Sequence, residues 1–162
     1  MARFELSTFI DAAPQMVFDL SRSIDLHIIS TRHTRERAIA GVTKGLIGSG
    51  EYVTWEAFHL FKKRFFTSVI TVFDPPHLFT DEMTRGDLRS FSHRHTFTQQ
   101  GTGTLMNDTV MLEAPYGILG KMVMFVFLKN YFKKLLKERN NIIKTYAENG
   151  SGAMILKPIT IE

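Results

Sequence analysis

The sequence predicts an α+β domain in which a curved antiparallel sheet of seven strands wraps a long C-terminal helix, with two short helices after the first strand. Three observations predict it. From Glu51 to Glu113 the chain is a series of segments rich in aromatic and β-branched residues, divided by short breaks. Breaks that short join neighbouring strands antiparallel. After Ala114-Pro115, apolar residues recur at helical spacing from about Ile118 to Ala147. No repeat, linker or low-complexity segment interrupts the chain, so residues 1–150 read as one domain and 151–162 as a C-terminal tail.

Arg3 to Ile10 alternates apolar Phe4, Leu6 and Thr8 with polar residues and opens the fold as a strand. Ala13-Pro14 starts a helix with proline in its first turn, where a missing N–H costs little. Val17, Phe18 and Leu20 give that helix its apolar side, and Ser21 or Ser23 caps a second short helix over Ile24 to Ile29. A weaker signal places a strand at 35–41. Five further strands are expected at 51–61, 64–73, 78–84, 90–98 and 104–113. The breaks between them are Lys62-Lys63, Asp74-Pro75-Pro76-His77, Arg85-Gly86-Asp87 and Gln100-Gly101-Thr102-Gly103. Leu119, Met122, Val123, Phe125, Val126, Tyr131, Phe132, Leu135, Leu136, Ile142, Ile143 and Tyr146 form the apolar side of the long helix. Its first half is apolar nearly all round, which implies burial on more than one side. Arg139 and Asn140 tie the helix end to the sheet. Asn149-Gly150-Ser151-Gly152 stops it, and 153–162 reads as a loose tail or one further strand.

Composition narrows the function. A chain of 162 residues buries roughly 70% of its unfolded surface, enough for a substantial core. Fourteen phenylalanines bring large contact area without polar atoms. The absence of cysteine excludes disulfides, thiol nucleophiles and zinc sites of the cysteine type, and fits a cytoplasmic location. Glu5 and Asp11 interrupt any apolar run of a secretory signal, and the longest apolar run, Met122 to Leu128, is far short of the about 20 residues that span a bilayer. The net charge of +4 is modest, and Lys133, Lys134, Lys137 and Arg139 read as a solvated helix face. No strand carries a basic stripe with interleaved aromatics, which argues against nucleic acid as a partner. Gly45, Gly48 and Gly50 make no phosphate loop, and no nucleophile-elbow or zincin motif is present. No cofactor and no resident metal is expected.

The segment Phe91 to Phe97 carries the most chemistry. As a strand it turns Phe91, His93, His95 and Phe97 to one face and Ser92, Arg94 and Thr96 to the other. An apolar face that also holds two titratable rings suggests the wall of a cavity. Phe79 and Met83 draw Asp81 to the same side, and Met106, Val110 and Leu112 do the same for Asp108. A four-residue turn at Gln100 to Gly103 sets Gln99 opposite Thr104 and Asp108 opposite His95, within hydrogen-bonding reach. A turn one residue shorter or longer moves Asp108 to the outer face. On 51–61, Val53, Trp55, Ala57, His59 and Phe61 form the better inward set, against a rival set with Thr54 and Glu56. The result is a polar patch of His59, Asp81, His93, His95 and Asp108 in a phenylalanine-rich space. Three roles compete for it: mutual satisfaction of buried groups, ligand recognition or proton transfer, and metal binding through two histidines at i and i+2.

The order of elements, strand, two short helices, six-strand meander, long helix, resembles the START/Bet v 1-like superfamily, also called SRPBCC or polyketide cyclase/dehydrase-like. Phe4 to Leu20 resembles its entry motif, in which a strand runs into Ala-Pro-x-x-Val-Phe. Val53 to His59, Phe79 to Met83, His93 to Phe97, Gly103 to Asp108 and Leu136 to Asn140 resemble an uncharacterised bacterial branch, some members of which are labelled cell-division inhibitors. The resemblance spans residues 3 to 147 and implies a helix-grip fold with a deep cavity between sheet and helix. The superfamily hosts lipid carriers, hormone receptors, aromatic cyclases and modules without a known ligand, so the fold does not name a reaction. The resemblance implies a cytoplasmic carrier or sensor that encloses a small, largely hydrophobic molecule: a lipid, a polyketide or an aromatic compound. Trp55, Phe97 and Phe125 would supply contact area; His93, His95 and Asp81 would orient its polar end. The alternatives are a cyclase or dehydratase with His93 or His95 as general base, and an interaction module with no small ligand.

Overall fold

The structure is a computed structural model that describes residues 1–59, 61–115, 117 and 127–157, the side chain of His59 excepted. Strand β1 (Ala2–Ile10) is followed by helices α1 (Pro14–Ser21) and α2 (Ile24–Ser30) and a 3-10 turn at Arg32–Thr34. Strands β2 (Arg37–Gly41), β3 (Tyr52–His59), β4 (Lys62–Asp74), β5 (Leu78–Arg85), β6 (Ser90–Gln100) and β7 (Gly103–Glu113) form the meander, and helices α3 (Lys129–Glu148) and α4 (Gly152–Ile155) follow. The sheet runs β1-β7-β6-β5-β4-β3-β2, with every neighbouring pair antiparallel. The predicted seven-stranded sheet with two short helices and a C-terminal helix is therefore the observed one.

Local chemistry explains the elements. Pro14 opens α1, and the Ser23 hydroxyl accepts the Leu26 N–H to cap α2. Pairing slips by a residue between Ala38 and Ala40 in β2, between Ile70 and Val72 in β4, and between Met83 and Arg85 in β5. Such bulges bend a strand and raise its twist, which curls the sheet toward α3. Phe18 of α1 is fully buried and meets Phe73 of β4, Phe79 of β5 and Phe97 of β6 at ring-centroid distances of 5.6, 5.6 and 5.4 Å. One ring thus fastens α1 over three strands in edge-to-face or tilted contacts.

Helix α3 buries Arg139, Asn140 and Ile143. Its predicted first half, 118–126, lies outside the described residues. Among the described residues no helix is long and apolar enough to cross a membrane.

Two local expectations are corrected. Lys62 and Lys63 do not form a turn: they open β4, pairing with His59 and Phe58 of β3. The reversal falls just before them, so Phe61 takes a positive φ of 64° and stands 93% exposed instead of facing inward. Lysines suit a sheet margin, because their stems pair while their heads stay in water. The described part of the tail is neither loose nor a strand. It forms α4, with Gly152 buried and Ile155 and Leu156 packed on the main core.

Gly103 starts β7 where the backbone of β1 passes closest. A Cβ there would stand 2.5 Å from the Ile10 carbonyl oxygen and 2.7 Å from the Phe9 ring. Gly103→Ala is expected to cost about 2 kcal/mol through overpacking against main chain. Thermal denaturation should show a midpoint about 4–8 °C lower; an unchanged midpoint would contradict the close approach.

Candidate functional site

β6 places His93 and His95 on the inner face, 5% and 1% exposed. The flanking strands supply the carboxylates: Asp81 of β5 is paired with His93, and Asp108 of β7 with His95. Gln99 is paired with Thr104, as the four-residue turn required. The hydrogen bonds run diagonally to this register. Nε2 of His93 meets Oδ1 of Asp108 at 2.9 Å, and Nε2 of His95 meets Oδ2 of Asp81 at 3.3 Å. Nδ1 of His95 is also 2.8 Å from Oδ1 of Asp108 but out of line for a hydrogen bond, so that contact is electrostatic. The two imidazoles lie 3.8 Å apart, centre to centre, between the two carboxylates, and the Phe79 ring stacks on His95 at 4.2 Å.

Helix α3 closes the far side. Asn140 donates from Nδ2 to Oδ2 of Asp108 at 2.6 Å and to the Thr8 hydroxyl at 3.3 Å. Arg139 donates from Nη2 to the Ser21 carbonyl at 2.5 Å, while its Nη1 is buried with no hydrogen-bond partner among the described residues. Burial alone would raise the Asp108 carboxyl, but the hydrogen bond from His93 and the close His95 imidazole outweigh it and hold Asp108 well below the usual carboxylate range. Asp81 is lowered in the same way: burial opposes, while the His95 hydrogen bond and the charges of His93, His95 and Arg139 prevail. The two rings part company. Burial and the neighbouring His95 push His93 down, whereas the close carboxylates of Asp108 and Asp81 overcome burial and push His95 up. Burial also lowers Arg139, against the pull of Asp108, Asp81 and Glu36.

Beside this cluster is a cavity of about 530 Å³. Asp81, His93, His95 and Arg139 line it, and most of the remaining wall is apolar, with Trp55, Ile70, Phe66, Phe91, Phe132 and Leu136 among it. Asp108 is fully buried behind the two imidazoles and is not part of the wall.

No sequence-family profile and no curated protein matches the chain. Solved structures do. The protein TTHA0849 from Thermus thermophilus superposes with a TM-score of 0.70 at 16% identity, covering 91% of this chain and 100% of that one. A START superfamily protein from Mycobacterium smegmatis gives 0.68 at 10% identity, covering 91% and 97%. Ginseng major latex-like protein 151 from Panax ginseng gives 0.66 at 13% identity, covering 90% and 97%. The chain has the START/Bet v 1-like fold. At these identities the likeness is one of fold.

Within the START/Bet v 1-like fold the expected site residues fall into four groups. Asp81, His93, His95 and Asp108 come together as one cluster. Trp55 lines the same cavity elsewhere, stacked on His27 at 4.1 Å. Phe97 is 3% exposed and packs on Phe18 and Phe79 in the core, not on the cavity wall. Phe125 and the His59 side chain lie outside the described residues. On β3 the inward set is Val53, Trp55 and Ala57, all buried, while Glu56 pairs with Arg37 and Lys63.

Sequence reasoning missed the cavity-lining role of Arg139, which it read as a tie and as part of a solvated helix face; the residue is buried instead. It also missed a second imidazole–carboxylate contact, His27 Nε2 to Glu36 Oε2 at 2.6 Å, whose residues both line the cavity. No local signal marks that pair, since it forms only once α2 packs beside the start of β2.

Asp108→Asn keeps the shape but removes a buried charge from its partners, and is expected to lose about 3–5 kcal/mol of stability at neutral pH. Because the folded-state carboxyl lies below its ordinary value of 3.8, this stabilisation is fully present above that value and is lost as pH falls through the folded one. Urea denaturation should show a large gap between the two proteins at pH 7 that narrows below pH 4. A gap that widens on acidification would refute the assignment.

Proposed function

We propose that the protein is a cytoplasmic carrier or sensor that encloses a small, largely hydrophobic molecule with one polar end. The observation that carries this reading is the cavity of about 530 Å³, whose wall is mostly apolar and gathers Asp81, His93, His95 and Arg139 in one place. Ligand sites typically measure about 300–1,000 Å³ and combine an apolar wall with a few convergent polar groups. The apolar wall supplies affinity by area, and the cluster selects which end of the ligand enters it. An interaction module without a small ligand would instead fill this space with side chains.

The enzyme reading has one observation in its favour. His93 lines the cavity and its imidazole is pushed toward the neutral form, so it is available as a general base while Asp108 fixes its orientation. Proton abstraction beside a carbonyl, as in a cyclase or dehydratase, needs no further cofactor. A bound substrate whose turnover is unchanged in the His93→Ala/His95→Ala double variant would exclude this reading.

Trp55 is the only tryptophan in the chain and lines the cavity, so its emission reports occupancy. Titration with long-chain lipids, aromatic acids and polyketide-like phenols should quench or shift that emission for at least one class. Native mass spectrometry of the purified protein should show a bound apolar molecule. Ala57→Phe, which places a ring in the cavity, should weaken binding at least about tenfold while circular dichroism stays unchanged. Neither extracted ligand nor response to any probe would overturn the carrier reading.

A further inference from the structure

The cavity-facing side of the cluster has a feature that mutual hydrogen bonding leaves unexplained. Oδ1 of Asp108 lies 2.9 Å from Nε2 of His93 and 2.8 Å from Nδ1 of His95. An ionised carboxylate only accepts, and two acceptors do not approach so closely, so each of these nitrogens carries its ring's N–H. His93, held toward its neutral form, then presents the lone pair of Nδ1, while Nε2 of His95 donates its proton to Asp81 and becomes a second lone pair only when a stronger cation displaces that proton. Both face Oδ2 of Asp81, at 3.9 and 3.3 Å. All three atoms lie within 4.8 Å of one another. A proton serves only two of the three; a metal ion serves all of them.

We infer that Asp81, His93 and His95 form a binding site for a divalent first-row transition metal of the zinc or ferrous class. Two imidazole nitrogens and one carboxylate suit such ions, whereas magnesium and calcium favour oxygen alone. Bonds of about 2.1 Å in a tetrahedral arrangement set ligand atoms about 3.4 Å apart. The 3.3 Å contact meets this, and a small rotation of the His93 ring brings in the 3.9 Å one.

The shell behind the ligands fits as well. Metal-bound histidines direct their other ring nitrogen to a carboxylate, which fixes tautomer and orientation. Asp108 stands behind both rings, and Asn140 holds Asp108 in turn at 2.6 Å. The three ligands line the cavity and Asp108 does not, so the remaining coordination positions open on the ligand space. Charge agrees. Asp81, Asp108 and Arg139 sum to one negative charge once a metal has displaced the His95 proton and both imidazoles are neutral ligands. A dication makes that one positive, and a single anionic oxygen, from hydroxide or from the polar end of a ligand, restores balance. Only this last occupant rests on the carrier reading; the metal site does not.

The test is titration of chelator-treated protein with Co²⁺ and Zn²⁺. We expect one equivalent of Co²⁺ to bind with the strong visible absorption of a low-coordinate site, and Zn²⁺ to displace it. Asp81→Asn, a partly exposed position where a size-conserving change is tolerated, should abolish the absorption with circular dichroism unchanged. Asp108→Asn should weaken binding about 10- to 100-fold in whatever fraction remains folded. His77→Ala, which removes an exposed histidine 3.8 Å from Asp74, should change nothing. The inference is overturned by no cobalt spectrum, by equal affinity in Asp81→Asn, or by loss of binding in His77→Ala. Lipid titration of metal-free protein through Trp55 is a separate readout. Lipid binding without cobalt binding sinks the metal site alone, and the reverse sinks the carrier reading alone.

Discussion

The buried carboxylate of Asp108 is the constraint on which the rest of the molecule turns. It has no contact with water, and a bare carboxylate in that position would cost several kcal/mol. His93, His95 and Asn140 remove that cost, and each demands something different of the fold. The imidazoles require one register between β6 and β7, because a slip of one residue would turn Asp108 to the outer face. Asn140 requires α3 at a fixed height and rotation above the sheet. Ile143, one turn further on, is 1% exposed and belongs to the main apolar core. The polar network and the apolar core therefore select the same seating of the helix.

Much of this was legible from alternation alone. Phe91, His93, His95 and Phe97 share a face because strand side chains alternate, and Phe79 with Met83 commits Asp81 to that face. Counting across the turn placed Asp108 opposite His95, and the count is right because Gly101 takes the positive φ of 59° that so tight a reversal needs. Period-two patterns are robust where one face is buried, and every one of these residues is on such a strand.

What was not legible depends on segments far apart in the chain. Alternation says which residues face one another, but the imidazoles reach diagonally across the ladder, and that choice is made by rotamers packed under Phe79. Arg139 reads as one more cation on a charged helix; it is buried only because the Ser21 carbonyl, 118 positions earlier, is brought against it. The reversal before Lys62 carried no glycine to mark it. A phenylalanine at positive φ is costly and uncommon, so the lysine pair was the more natural place to break the strand.

Support and chemistry are often treated as rival explanations of a buried histidine–carboxylate cluster. Here they divide along its two sides. Asp108 has two good hydrogen bonds, from His93 and Asn140, and the close His95 imidazole as a third contact, all on the closed side under α3. Asp81 has one long hydrogen bond of 3.3 Å and a looser contact at 3.9 Å, on the side that lines the cavity. If the cluster served packing alone, an apolar group of the same volume would stabilise the fold as well or better, because ion pairs seldom recover their desolvation. A saturated side and an under-satisfied side make sense together when the first fixes the imidazoles rigidly and the second leaves their outward nitrogens, only loosely held by Asp81, beside the cavity. The polar satisfaction that holds the helix on the sheet is then the same interaction that aims two ring nitrogens and a carboxylate at whatever enters.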